Sequence, residues 1–107
     1  MQVEQFIAPS GVIAFILFAL SFASGFERLG IERFHKAFSY ACLITVVVHS
    51  AAAFYCSIIE PLGVLASAGM VLTAASGALR WKRTHIALAF ATLALSIAHV
   101  GLIQYLK

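Results

Sequence analysis

Charged residues divide this chain into four long apolar segments. Asp, Glu, Lys and Arg are absent from four runs of 19 to 23 residues, at 5–26, 37–59, 61–79 and 84–106. About 20 apolar residues, each rising 1.5 Å along a helix, are enough to cross the hydrocarbon core of a bilayer. Backbone polar groups find no water inside a bilayer, so segments of this length satisfy them by forming helices. The pattern therefore predicts four transmembrane helices.

Prolines and charged residues set the expected limits of these helices. Pro9 suits a first helical turn, and Glu60-Pro61 marks a tight break between two helices. The expected helices are 9–27, 32–57, 61–80 and 83–105. Connections this short leave neighbouring helices antiparallel. The predicted fold class is therefore all-α, a transmembrane up-down-up-down four-helix bundle that forms a single domain over residues 1–107.

Composition and charge narrow the possible functions. Hydrophobic residues make up 63% of the chain and charged residues 10%, whereas a soluble domain is nearer half apolar and a quarter charged. The short connections leave no room for a soluble catalytic or nucleic-acid-binding domain. Basic residues concentrate between helices 1 and 2 and between helices 3 and 4, and the positive-inside rule assigns both connections to the cytoplasm. The sequence thus predicts an integral protein of the cytoplasmic membrane with both termini outside.

Four histidines share one spacing. They are His35 and His49 on helix 2 and His85 and His99 on helix 4, and the members of each pair are fourteen residues apart. Fourteen residues bring a side chain back to within about 40° of the same helix face. Because helices 2 and 4 are expected to run parallel, His35 should face His85, and His49 should face His99 about 21 Å further along.

Histidine inside a membrane is energetically expensive and is usually functional. Hydrogen bonding between helices explains a single intramembrane histidine well, but it does not predict two pairs at matched depth. A zinc site needs three or four ligands, and each level offers two. An iron porphyrin needs two axial nitrogens on opposite faces, which each pair supplies.

Four glycines repeat the same spacing of fourteen. They are Gly11 and Gly25 on helix 1 and Gly63 and Gly77 on helix 3. A flat macrocycle between helices 2 and 4 presses its edges against helices 1 and 3, where a residue without Cβ allows a close approach. Each glycine is expected at the depth of one histidine. Small-residue helix packing is the alternative explanation, and we prefer it for Gly69 and Gly101.

The two halves of the chain form an internal repeat. Gly11, Gly25, Arg33, His35 and His49 correspond to Gly63, Gly77, Arg83, His85 and His99. The repeat predicts two helical hairpins related by a pseudo-two-fold axis along the membrane normal. Arg33 and Arg83 are candidates to pair with haem propionates, although ordinary positive-inside charge explains either residue equally well. Midway between the site residues lie Phe18, Cys42, Met70 and Thr92, which are expected to be buried as core packing.

This pattern closely resembles the dihaem core of cytochrome b, the membrane subunit of bc-type respiratory and photosynthetic complexes. In that family the second and fourth helices each carry two axial histidines thirteen or fourteen residues apart, and the first and third carry glycines that admit the haem edges. The four histidines and four glycines named above match those positions. The resemblance covers nearly all of this chain but only the first half of a full cytochrome b. The family's Pro-Glu-Trp-Tyr quinol-site segment is missing from this chain. The start of helix 2 is predicted on the cytoplasmic side, whereas the family has it on the opposite side of the membrane.

The resemblance implies two b-type haems, which would be non-covalent because no Cys-x-x-Cys-His attachment motif occurs. Two axial histidines leave no open coordination position, so the expected function is electron transfer across the bilayer rather than catalysis. Partners would be quinone or a c-type cytochrome, iron–sulfur or flavin subunit, and a homo-oligomer is possible. The alternatives are a small four-helix multidrug or cation transporter and a histidine proton relay. A transporter needs a membrane-embedded carboxylate, whereas this chain has no Asp and all four Glu lie outside the apolar runs.

Overall fold

The chain folds into helices that match its apolar segments. A computed structural model describes residue 5 and residues 7–25 and 34–106. Its helices are α1 (Ile7–Ser24), α2 (His35–Tyr55), α3 (Pro61–Ala78) and α4 (Lys82–Leu106). Each is long and apolar enough to cross a membrane. The prediction of an all-helical chain with four such helices is confirmed for the described residues, and the expected helix limits at 27 and 32 fall outside them.

The break between the second and third apolar runs has a chemical cause. Glu60 has extended backbone angles, and its carboxylate accepts hydrogen bonds from the backbone N–H groups of Leu62 at 3.0 Å and Gly63 at 2.7 Å. These N–H groups have no partner inside the helix because they belong to its first turn. Pro61 occupies the first helical position, where its missing N–H is not needed. One Glu-Pro dipeptide therefore starts α3.

Two helices end with a residue in the left-handed conformation. Ser57 follows α2 with φ of 58°, and Arg80 follows α3 with φ of 60°. Beyond each of them a backbone N–H reaches back to the last turn, from Ile58 to Ala53 O at 2.8 Å and from Trp81 to Ser76 O at 2.9 Å. This is the Schellman ending, which glycine usually provides. Here residues with side chains adopt it.

The helices pack as two hairpins. The chain divides into two compact units, Met1–Ile58 with α1 and α2, and Ile59–Lys107 with α3 and α4. In the first unit, Ser10 near the start of α1 contacts His49 near the end of α2, whereas Ser21 contacts Ser39 near the start of α2. The order of contacts is reversed, so these two helices run antiparallel. The four-helix bundle and the single domain stay predictions.

The internal repeat extends to the buried residues of each hairpin. Equivalent positions are 52 residues apart on the first helix of each unit and 50 apart on the second. Six buried pairs follow this rule: Ala14 and Ala66, Phe18 and Met70, Ser21 and Thr73, Ser24 and Ser76, Cys42 and Thr92, and Val46 and Ser96. The expected burial of Phe18, Cys42, Met70 and Thr92 is confirmed, with Thr92 only 1% exposed.

Hydroxyl groups link the two helices of each hairpin. Ser21 Oγ lies 2.5 Å from Ser39 Oγ, and Thr73 Oγ1 lies 3.3 Å from Thr92 Oγ1. Ser39 and Thr73 each donate their own proton to a carbonyl one turn earlier in their helix. Such bonds suit an interior without water, where small polar residues hold helices together. The outer surfaces are apolar, since large side chains in all four helices are exposed, among them Ile13, Ile44, Val64 and Ile97.

Candidate functional site

Each of the four histidines lies half-buried against the other helix of its own hairpin. His35 stands at the start of α2 and His49 near its end, and His85 and His99 are placed in the same way on α4. Their Nδ1 atoms all face hydrogen-bond partners on the opposing segment. The geometry of these partners determines what chemistry the rings offer.

Three of the histidines bond a backbone carbonyl through Nδ1. The pairs are His35 with Ser21 O at 2.7 Å, His49 with Ile7 O at 2.8 Å, and His85 with Thr73 O at 2.7 Å. A carbonyl oxygen only accepts, so Nδ1 carries the proton and donates it in each pair. In a neutral imidazole the second nitrogen, Nε2, then carries the lone pair. All three rings therefore present a Nε2 lone pair, the form that ligates a metal.

A serine supports each of these three bonds. Ser10, Ser24 and Ser76 donate their hydroxyl protons, at 2.9 to 3.0 Å, to the same carbonyls that the histidines use. Their oxygens lie 3.1 to 3.4 Å from the corresponding Nδ1 atoms. Sequence reasoning missed these serines. The sequence signal for these serines was a Ser-Gly dipeptide. It occurs at Gly11, Gly25 and Gly77, the three matched glycines that a helical turn precedes.

The fourth histidine has a different partner. His99 Nδ1 lies 2.6 Å from Glu60 Oε2. Gly63 sits in the first turn of α3, so no earlier helical turn supplies a carbonyl at this level. The carboxylate that caps the helix takes its place. Sequence reasoning treated Glu60 only as a helix break and missed this contact.

Several interactions act on the ionisation of Glu60. Partial burial on its own raises the pKa of this carboxyl group, because burial disfavours the charged form. Hydrogen bonds from Leu62 N–H, the His99 ring and Gly63 N–H, together with the charge of protonated His99, outweigh that effect. The pKa of Glu60 is consequently held below its ordinary value. At neutral pH this residue carries a full negative charge next to His99.

Three of the four matched glycines make room for an imidazole, and the fourth lies in contact with one. A Cβ added to Gly11, Gly63 or Gly77 would lie 2.7 to 2.9 Å from Cε1 of His49, His99 or His85, respectively. Real Cβ atoms essentially never come so close to another atom. At Gly25 the added atom would be 3.4 Å from Cε1 of His35. Each glycine thus lies at the depth of the expected histidine, and its nearest neighbour across the hairpin is the imidazole ring itself.

The two remaining described glycines behave differently. A Cβ on Gly69 would collide with Thr92 Oγ1, which is the close helix packing expected of a small residue. A Cβ on Gly101 would meet nothing within 4 Å. Contact with histidine therefore separates the four matched glycines from these two.

The arginine candidates are less informative. Arg33 lies outside the described residues. Arg83 is exposed in the first turn of α4, two residues before His85, and Arg80 and Lys82 beside it are exposed as well. Basic side chains therefore collect at the His85 end of the second hairpin. The pairing of either arginine with a propionate stays a prediction.

The surroundings of each imidazole, which are its Nδ1 partner and the facing glycine, suit a ring that serves as an axial ligand of haem. Each ring is held at Nδ1 and lies against a residue without a side chain. Within residues 5, 7–25 and 34–106, no three His, Cys, Asp or Glu side chains form a group that could hold a metal ion by themselves. A haem iron needs only two ligands from the protein, because its porphyrin supplies four and one histidine on each face completes the set.

Comparison with known proteins adds no relative to this picture. No protein-family model, curated protein or solved structure matches the chain.

Proposed function

We propose that this protein transfers electrons across a membrane through two bis-histidine b-type haems, as a subunit of a larger oxidoreductase complex. One observation carries the proposal. All four histidines donate Nδ1–H to an oxygen acceptor within their own hairpin. The four rings are therefore preset in the tautomer that offers Nε2 to a metal.

A hydrogen bond from Nδ1–H is a regular feature of a histidine that binds a metal through Nε2. It fixes the orientation of the ring, selects the tautomer and makes the ligating nitrogen more basic. Hydrogen bonding between helices explains one such histidine, but it does not require four at matched spacing. The same arrangement at all four positions supports ligation over structural bonding.

One haem would be ligated by His35 and His85 and the other by His49 and His99. When bound, the iron supplies a reversible one-electron couple, and two strong axial ligands leave it no position for oxygen or substrate. The chain's own residues would hold and orient the axial rings and exclude water through apolar helix faces. Arg33 and Arg83 would pair with the propionates.

The membrane setting defines the partners. The four apolar helices suit a lipid bilayer, and the positive-inside rule puts the connections between α1 and α2 and between α3 and α4 in the cytoplasm, with both termini outside. A chain made almost entirely of such helices needs a redox partner. Quinone or a c-type cytochrome, iron–sulfur or flavin subunit would serve, and the protein would not be an enzyme on its own.

The alternative functions receive less support from the geometry. A proton relay needs groups that both accept and release protons, whereas three of the histidines donate to backbone carbonyls, which do not pass a proton on. A cation transporter needs a carboxylate within the membrane. Glu60 immediately precedes α3 and already binds two backbone N–H groups and a histidine.

The visible spectrum of the protein purified in detergent tests the proposal. Low-spin b-type bands that sharpen on reduction with dithionite are expected, and carbon monoxide should leave them unchanged because both axial positions are filled. A colourless protein after expression with added haem precursor would contradict it. A high-spin spectrum that shifts with carbon monoxide would contradict bis-histidine ligation.

A further inference from the structure

The four Nδ1 partners are chemically unequal. Three are backbone carbonyls, which are neutral, and the fourth is the Glu60 carboxylate, which is charged. The Glu60–His99 contact is also the shortest of the four at 2.6 Å. Glu60 cannot turn away easily, because its two oxygens bind Leu62 N–H and Gly63 N–H at the start of α3. This anionic partner is therefore a fixed part of the site.

A carboxylate changes the ligand more than a carbonyl does. Hydrogen bonds to a charged acceptor are roughly twice as strong as those between neutral groups. The carboxylate draws the Nδ1 proton toward itself and increases electron density on the ring, which makes Nε2 a stronger donor to a metal. Ferric haem carries one more positive charge than ferrous haem. A stronger donor with a nearby negative charge therefore stabilises the oxidised form and lowers the reduction potential.

We propose that Glu60 lowers the reduction potential of the haem ligated by His99 and so separates the potentials of the two haems. This inference rests on the proposed function, because it assigns a role to Glu60 within the same site. The exposed basic residues at the other end of the hairpin, Arg80, Lys82 and Arg83, act in the opposite sense on a haem at His85, since positive charge stabilises the reduced form.

Both effects favour an electron on the haem at His85 over the haem at His99. Glu60 beside His99 and the basic residues beside His85 thus make the two haems unequal, which the internal repeat alone does not.

Redox titration of the full-length protein, followed by its visible spectrum, tests the role of Glu60. In Glu60→Gln the amide oxygen still accepts from Nδ1–H and caps α3, and the negative charge is lost. One midpoint potential should rise by about 59 mV, which corresponds to a tenfold change in the equilibrium between ferric and ferrous haem. The other midpoint should stay in place. Glu4→Gln is the matched control, because it removes the same charge ahead of the first apolar run, and it should move neither midpoint.

The outcomes separate this inference from the proposed function. If the wild-type protein binds no haem, the proposed function fails and the inference fails with it. If Glu60→Gln keeps both haems with unchanged midpoints, the proposed function stands and the inference is wrong. Equal shifts in Glu60→Gln and Glu4→Gln would also overturn it, because they would indicate a general charge effect. Should Glu60→Gln fail to fold, Glu60→Ser keeps a good N-cap residue and should give the same positive shift.

Discussion

Gly77 faces the imidazole of His85 so closely that a Cβ on the glycine would lie 2.9 Å from Cε1 of the ring. The same relationship holds between Gly11 and His49 and between Gly63 and His99. The glycines that share the spacing of fourteen residues thus contact the histidines that share it, within each hairpin. A substitution at such a glycine acts first on the histidine.

Replacing Gly77 with Leu should lower haem occupancy at His85. The new side chain would occupy the space of the ring and push Nε2 out of position, and overpacking of this kind commonly costs about 1–3 kcal/mol. Haem content per chain and the two midpoint potentials, measured on purified protein, should show a change at one haem only. Gly101→Leu is the control, since a Cβ there meets nothing within 4 Å, and it should leave both haems nearly unchanged. Equal spectra and midpoints for the two variants would mean that the matched glycine spacing is a coincidence.

Single histidine substitutions should empty one site at a time. His35→Ala or His85→Ala should remove the haem on the cytoplasmic side, and His49→Ala or His99→Ala the outer one, because each variant loses one of two axial ligands. Haem content should fall from two per chain to one, and the remaining spectrum should differ between the two groups of variants. Circular dichroism checks that the helices are retained. If every well-folded variant lost both haems equally, the pairing by depth would be wrong.

The ends of α2 and α3 allow a separate test of the backbone. Ser57 has a φ of 58°, a conformation that costs a residue with a Cβ about 1–2 kcal/mol and costs glycine almost nothing. Ser57→Gly should therefore raise the midpoint temperature of unfolding in detergent. Ala51→Gly, inside α2, should lower it, since glycine inside a helix is less stable than alanine by roughly 0.5–1 kcal/mol. A lower midpoint temperature for Ser57→Gly would contradict the left-handed helix end.

The sequence predicted the helices and the depth at which each matched glycine lies, but not the hydrogen bonds behind the histidines. Runs without charge are sufficient to locate apolar helices, and residues at matched distances from a connection meet across a hairpin. The roles of Ser76 and Glu60 depend on which ring nitrogen faces the opposing helix, and this follows from side-chain rotamers rather than from spacing. Serine in an apolar helix is also common as a small packing residue, so its position alone did not distinguish it.

The glycines show a second difference between pattern and structure. Their spacing predicted a close approach at the depth of each histidine, and the edge of a macrocycle was the group expected in that space. In the structure the imidazole is the nearest group across the hairpin at Gly63 and Gly77. Spacing gives the depth at which room is needed, whereas the group that uses the room depends on the direction of the side chains.

The number of haems per chain tests the central claim most directly. Pyridine haemochrome analysis of the purified protein, combined with quantitative amino-acid analysis, gives both the haem type and the stoichiometry. Four histidines with matched spacing and no covalent attachment motif predict two haem b per chain, all of it extractable into acidified organic solvent. A ratio near one, a c-type haemochrome spectrum, or protein without haem would contradict the two-haem account.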